Sequence, residues 1–280
     1  MEGKSSPDDI LRYKLCTCRR ERNDNGTHRI YNKVDKVKNA IVTGAKGGIG
    51  KSIIERFAKE GVNCWACIRK KDEAFEDWCQ ELAQINGVWI KTVSIDLYDE
   101  DEIKHGIKDI IDEKLPIDVL VNNAGVSSSG LLQMVSMQEL KSVFQVNYYA
   151  PVQIAQMVSK RMIRQKSGVI INMASVGGIE AGKGYLAYGS SKAALIWATR
   201  MMANELGVYG IRVNGIAPGS TDTDMLGAKN KAELERVLQR VPLGRVADPK
   251  EIAAAVSFLS SDEAGYITGE ILKIDGGRTA

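Results

Sequence analysis

Tyr188 and Lys192 lie four residues apart, and Ser175 precedes the tyrosine by thirteen. On a helix, residues i and i+4 share a face, so the Lys192 ammonium can lie beside the Tyr188 phenol. A positive charge there favours phenolate and brings a poor acid toward usefulness near neutral pH. Ser175 ends the strand-like run Val169-Ile-Ile-Asn-Met-Ala-Ser175, from which its hydroxyl can meet a substrate oxygen from the opposite side. Tyrosine and lysine at this spacing are common on ordinary helices, so the weight of the pair depends on its surroundings.

Upstream, Ala40-Ile-Val-Thr43-Gly44-Ala-Lys46-Gly-Gly48-Ile-Gly50 reads as a strand, a glycine-rich turn and a helix start. Glycines let the backbone turn tightly and let a pyrophosphate approach the helix N-terminus, where free N–H groups and the helix dipole favour anions. A second reading of the same residues is a relaxed P-loop, Ala45-Lys-Gly-Gly-Ile-Gly50-Lys51-Ser52, with alanine in place of the first glycine. Lys51 would then hold terminal phosphates and Ser52 a magnesium ion. Against it, the strand after Pro116 runs Ile-Asp-Val-Leu-Val121 into Asn122-Asn123, and no strand ends in an aspartate placed for the metal.

Other catalytic sets are poorly supported. The two histidines are His28 in the N-terminal tail and His105 on a highly charged helix, and Ser175 lacks the glycine two positions earlier that a nucleophile elbow needs. Cys16, Cys18 and His28 make half a metal site without a fourth spaced ligand, so no metal is expected. Cys64 and Cys67 fall on one strand at i and i+3, where side chains point to opposite faces; they are expected to pack, as is Cys79.

The elements that must position these residues follow from periodicity. Strands are expected at Ala40–Thr43, Val62–Ile68, Val88–Ile95, Ile117–Val121, Val169–Ala174, Ile211–Ala217 and Ile271–Ile274. Helices between them include Ile49–Lys59, Glu100–Glu113, Gln138–Gln165 and Tyr188–Tyr209. Apolar strands separated by helices of this length predict an α/β fold: one Rossmann-type, doubly wound parallel sheet of about seven strands with helices on both faces. Residues 37–280 are expected to form that single domain. Residues 1–36 are polar and lack a sustained period, which predicts a flexible extension with one short helix around Asp9–Leu15. The tail also holds the mild basicity: residues 1–38 carry a net +4 against +3 for the whole chain, leaving −1 for the remainder. The folded body therefore has no basic excess for nucleic acid. No apolar run reaches membrane-spanning length, no signal-peptide core opens the chain, and five cysteines lack framework spacing, which together predict a cytoplasmic protein.

Taken together, Thr43-Gly44-x-x-x-Gly48-x-Gly50, Asp96 in Ser-Ile-Asp-Leu, Asn122-Asn123-Ala124-Gly125, Asn147, Ser175, Tyr188-x-x-x-Lys192 and Pro218-Gly219-x-x-x-Thr223 resemble the short-chain dehydrogenase/reductase family. They occur in family order, and the resemblance spans about residues 37–280. The run Ser261–Glu270 followed by Asp275-Gly-Gly is especially similar to the 3-oxoacyl-(acyl carrier protein) reductase branch. The resemblance implies that Gly44, Gly48, Ile49 and Gly50 line the cofactor pyrophosphate, that Asp96 and Leu97 border the adenine, and that Asn123, with Ala124 and Gly125, lies on the adenosine ribose side. It implies that Pro218, Gly219, Thr221 and Thr223 close over the nicotinamide. It further implies that Tyr188 donates a proton to the developing alkoxide, Ser175 orients the oxygen, Lys192 tunes the phenol and holds the nicotinamide ribose, and Asn147 holds a water for reprotonation.

The end of the second strand bears on the choice of dinucleotide. An acid there would accept both ribose hydroxyls and repel a 2′-phosphate. Ile68 stands in that place, Arg69 follows, and Lys46 adds a cation from the glycine turn, so NADP(H) is expected. The expected reaction is NADPH-dependent reduction of a carbonyl to a secondary alcohol, with a sugar, polyol or steroid substrate as the alternative and a non-catalytic nucleotide sensor behind it. The carrier-protein branch uses two basic positions; Lys166 fills the first and Tyr209 stands at the second, leaving CoA-linked or small carbonyls open. The substrate loops, roughly Ser127–Met137 and Asp222–Leu238, belong to the part of such a fold that varies freely. Met134, Met137, Met157, Met162, Trp197, Met201 and Met202 supply more soft apolar surface than one core needs, which with the resemblance predicts a homotetramer.

Overall fold

The computed structural model describes residues 38–223, 235 and 238–280, and the backbone alone of 13–22 and 28–36. The chain divides into two units, Met1–Lys38 and Asn39–Ala280. In the first, strands β1 (Tyr13–Arg22) and β2 (His28–Lys36) pair antiparallel. This differs from the irregular extension expected there: Tyr13–Leu15, part of the expected short helix, are strand, and residues 9–12 lie outside the described residues. Polar β-rich sequence without clean alternation carries little local signal, so pairing between strands supplies what periodicity does not show. The side chains of Cys16, Cys18 and His28 also lie outside the described residues.

The second unit is built on seven parallel strands: β3 (Asn39–Thr43), β4 (Asn63–Ile68), β5 (Ile90–Ser94), β6 (Val119–Asn122), β7 (Gly168–Met173), β8 (Ile211–Pro218) and β9 (Ile271–Ile274). Their order across the sheet is β5-β4-β3-β6-β7-β8-β9. All seven coincide with the expected strands. The connecting helices are α1 (Gly48–Lys59), α2 (Glu73–Asn86), α3 (Glu100–Asp112), α4 (Met137–Phe144), α5 (Ala150–Gln165), α6 (Leu186–Leu206) and α7 (Pro249–Ser260).

Two cores lie on the two faces of the sheet. One packs Ile53, Ile54 and Phe57 of α1 with Phe75 of α2 and Ile252 and Val256 of α7; the other packs Ile103 and Ile107 of α3 with Ile154, Val158 and Met162 of α5. Each fully buried side chain of this size contributes roughly 1.5–3 kcal/mol of transfer free energy. Cys64 falls in the first core and Cys67 in the second, as the strand period requires. Both are free thiols; burial pushes Cys64 strongly up and Cys67 up to about 12, which leaves them inert.

The sheet reverses direction of travel between β3 and β6. Chain segments leave those two strands on opposite sides, which opens a crevice at their C-terminal ends. The expected long helix Gln138–Gln165 is interrupted at Gln145–Tyr149 by a π-helical turn joining α4 to α5. Such a turn inserts a residue and re-aims the side chains around it. Asn147 lies inside it and is fully buried.

Candidate active site

The crevice is a cleft of about 390 Å³ at the C-terminal ends of β3, β4 and β6. Its floor is the glycine turn. Gly44 has φ +63°, and a Cβ at Gly50 would stand 2.1 Å from the Gly44 carbonyl oxygen, so only glycine lets the turn fold onto α1. Gly47 caps α1 without a side-chain hydrogen bond, and Gly47, Gly48, Ile49 and Gly50 line the cleft with the first N–H groups of the helix. Those donors and the helix dipole suit a pyrophosphate, so the residues present fit a dinucleotide.

The turn is braced from β6. Thr43 Oγ1 accepts the amides of Asn123 and Ala124, both at 3.0 Å, and Asn123 Nδ2 donates to the carbonyls of Thr43 and Gly44 at 3.0 and 3.2 Å. Asn123 therefore lines the cleft and fixes its shape. Arg69, Asp96, Leu97, Ala124, Gly125 and Thr223 line it too, together with Tyr98, Val146 and Ile68, which brings an apolar side chain where an acid would bind the ribose. Arg69 Nε donates to Asp96 Oδ2 at 3.0 Å, and its guanidinium lies over the Tyr98 ring, 4.8 Å from the centroid. Tyr98 follows the Asp96-Leu97 pair in sequence; its stacking on an arginine 29 residues earlier has no local signal. Lys46 behaves differently. It does not line the cleft, and its ammonium pairs with Asp72. Lys51 lies over the Trp78 ring at 4.4 Å, which removes it from the phosphate position that a P-loop needs.

The second half of the site stands on β7 and α6. Ser175 caps a short 3₁₀ turn, Val176–Gly178, with its Oγ accepting Gly177 N–H at 3.1 Å. That turn lies flat on α6 because Gly178 has no side chain: a Cβ there would come within 2.7 Å of the α6 backbone. The contact brings Ser175 beside the Tyr188 ring: a Cβ on Gly177 would lie 3.4 Å from Tyr188 Cε1 and 3.5 Å from Ser175 Oγ. Burial pushes the phenol up; the Ser175 hydroxyl pulls it down, and the Tyr185 ring, 6.1 Å away in an edge-on pairing, adds to the rise. The expected lowering by Lys192 is not found: burial leads, and the one lowering influence comes from Ser175.

Lys192 is shifted in the opposite sense. Its Nζ donates to the Met173 carbonyl at 2.8 Å, and burial lowers its pKa to about 8. Asn147 does not point at solvent: its Oδ1 accepts Val126 N–H at 2.9 Å, and its Nδ2 donates to Val126 O and Ser191 Oγ at 2.9 and 3.0 Å. Gly125 joins the two halves. A Cβ on this cleft residue would lie 3.1 Å from Lys192 Nζ and 3.3 Å from Asn147 Oδ1.

Pro218 ends β8 and Gly219 follows it. Gly219 N–H donates to the Ile274 carbonyl, and Thr221 forms an isolated bridge to Ala247. Thr223 reaches back across the cleft, its Cγ2 lying 2.9 Å from where a Gly48 Cβ would be. The substrate loop after it falls largely outside the described residues, whereas the first loop is tied down by Gly130 N–H to the Gly184 carbonyl. Among the described residues, no group of three or more His, Cys, Asp or Glu is placed to hold a metal ion, and no helix is long and apolar enough to cross a membrane.

Residues 44–279 match the family model described as enoyl-(acyl carrier protein) reductase. The chain is 38% identical over 242 residues to the 3-oxoacyl-[acyl-carrier-protein] reductase FabG of Chlamydia trachomatis, covering 86% of this chain and 96% of that relative. It is 37% identical over 240 residues to the protein of the same name from Thermotoga maritima and 38% identical over 240 residues to that of Staphylococcus aureus, each alignment covering 86% of this chain and 97% of the relative. With the sheet order, the glycine turn and the Ser175–Tyr188–Lys192 group in place, the chain belongs to the short-chain dehydrogenase/reductase family, oxidoreductases acting on CH–OH groups with a nicotinamide cofactor.

Proposed function

We propose that the protein reduces the carbonyl of a 3-oxoacyl thioester to a secondary alcohol with NADPH. The observation that carries this is the nearness of the Ser175 hydroxyl to the Tyr188 ring, with Lys192 buried against Gly125, a residue of the cleft wall. The nicotinamide supplies the hydride when bound. Two neighbouring O–H groups suit one carbonyl oxygen: Ser175 orients it and Tyr188, protonated at neutral pH because burial raises it, gives up the proton. Lys192, cationic below about pH 8, stabilises the phenolate that forms. Asn147 holds the Val126 peptide and Ser191 in place and thereby fixes the wall of Gly125 against Lys192.

The NADP preference rests on Ile68 in place of an acid and on Arg69 at the cleft lining. Gly44, Gly48, Ile49 and Gly50 would hold the pyrophosphate. Asp96, Leu97, Asn123, Ala124 and Gly125 would border the adenosine, and Pro218, Gly219, Thr221 and Thr223 the nicotinamide. The relatives named above support the 3-oxoacyl substrate, and Lys166 at the end of α5 is available to an acidic carrier. The family model's description points instead to an enoyl group, a C=C rather than a C=O reduction. A spectrophotometric screen decides: NADPH oxidation with acetoacetyl-CoA and little with crotonyl-CoA, simple ketones or keto sugars is expected. Turnover confined to crotonyl-CoA or to keto sugars overturns the assignment.

The assembly proposed is a homotetramer in the cytoplasm. Met162 packs wholly into the core and Met157 and Met202 partly, but Tyr149, Trp197 and Met201 remain exposed on and beside α5 and α6. Pairing of these helices between subunits covers them. Light scattering at micromolar concentration checks this, and a monomer mass rules it out.

A further inference from the structure

Lys46 and Arg69 are the two cations that the sequence offers for a 2′-phosphate, and the fold treats them differently. Arg69 lines the cleft, and its bond to Asp96 engages only the Nε of the guanidinium. Lys46 springs from the glycine turn, yet its ammonium is taken by Asp72, four residues beyond the end of β4. The Asp72 carboxylate is doubly committed: Oδ1 accepts Phe75 N–H at 2.9 Å as the N-cap of α2, and Oδ2 meets Lys46. These bonds hold the carboxyl below its usual range, so it stays anionic at neutral pH. A carboxylate paired with a cation neutralises it and opposes the approach of a second anion to it.

We infer that Asp72 is a specificity-determining residue: it withholds Lys46 from the cofactor, so that recognition of a 2′-phosphate rests on Arg69. This deepens the NADP reading proposed above and rests on it. Asp72 thereby tempers the affinity for the phosphorylated nucleotide. Releasing Lys46 adds a second charge-assisted partner at that end.

The cap makes a clean test possible, because asparagine and serine cap helices about as well as aspartate. Asp72→Asn keeps the acceptor for Phe75 N–H and removes only the charge; Asp72→Ser does the same with a different side chain and guards against a local packing artefact. Binding of 2′,5′-ADP and of 5′-AMP is measured by calorimetry on the full-length protein and on Lys46→Ala, Asp72→Asn, Asp72→Ser and the double variant Lys46→Ala/Asp72→Asn. Lys46→Ala alone is expected to change the 2′,5′-ADP Kd by less than about twofold, since Lys46 is already withheld. Asp72→Asn and Asp72→Ser are expected to tighten it about two- to fivefold, the size of one exposed charge contact, and Lys46→Ala in the Asp72→Asn background to abolish the gain. Binding of 5′-AMP stays within about twofold throughout, and the gain shrinks as salt rises. A fivefold or greater loss from Lys46→Ala alone, or no gain in either Asp72 variant, overturns the inference. A parent protein that does not discriminate 2′,5′-ADP from 5′-AMP overturns the NADP reading instead, and the inference then stands only if the Asp72 variants acquire that discrimination.

Discussion

The two halves of the site are made of different material. The glycine-turn half presents backbone: free N–H groups at the start of α1, glycines that let the chain approach itself, and one side-chain charge, Arg69, that is more than half exposed. The β7–α6 half presents buried side chains, with Lys192 fully enclosed and Ser175 nearly so. Screened surface charges act in small, graded steps, whereas a buried group has no substitute when it is removed. The division suits the tasks, since holding a dinucleotide distributes binding over many weak contacts and moving one proton depends on a single oxygen.

The comparison breaks first at Tyr188. Tyr188→Phe removes one oxygen and leaves the packing nearly intact. Carbonyl reduction is expected to fall by about 10²–10⁴-fold in kcat, while nucleotide binding by calorimetry stays within a few-fold. Activity within a few-fold of the parent would move the proton donor out of the buried half.

A smaller effect is expected from pH. Lys192 titrates near 8, and the Tyr188 phenol is raised above its ordinary value. Below pH 8 the ammonium is present to stabilise the developing phenolate; as pH rises through about 8 that charge is lost and the reduction rate falls, toward tenfold per unit at the limit. Lys192→Met, which keeps the stem and deletes the charge, should lower the rate and flatten this limb. The same burial makes a stability statement. The Lys192 pKa is lower in the folded than in the unfolded chain, so the unfolded state holds more protons between about pH 8 and the ordinary lysine value. Stability therefore gains a contribution as pH rises across that window and none below it.

The smallest change belongs to the exposed half. Arg69→Ala is expected to weaken 2′,5′-ADP about tenfold, the order of one charge-assisted contact, with 5′-AMP little affected. Equal losses for both ligands would mean that Arg69 shapes the adenosine wall through Asp96 and Tyr98 rather than reading the phosphate.

All seven strands of the sheet, the glycine turn and the Tyr188–Lys192 spacing were legible because each depends on local periodicity or on a short span of backbone. Burial on both faces makes the strands continuous apolar runs, and a tight turn against a helix start demands glycine at Gly44 and Gly50 wherever it occurs. The opposed Cys64 and Cys67 follow from the strand period in the same way. The antiparallel pairing of β1 and β2 was not legible, since no clean alternation marks it.

What tertiary structure alone decided is where each polar atom finds its partner. Lys192 turns to the carbonyl of Met173, 19 residues away, Asn147 to the Val126 peptide, 21 away, and Lys46 to Asp72, 26 away. Sequence spacing places a side chain on a face of its own element but does not say which element will be packed opposite. Burial then sets the charge: the Tyr188 phenol is raised by desolvation, while Lys192, four residues on, gives its ammonium to the Met173 carbonyl.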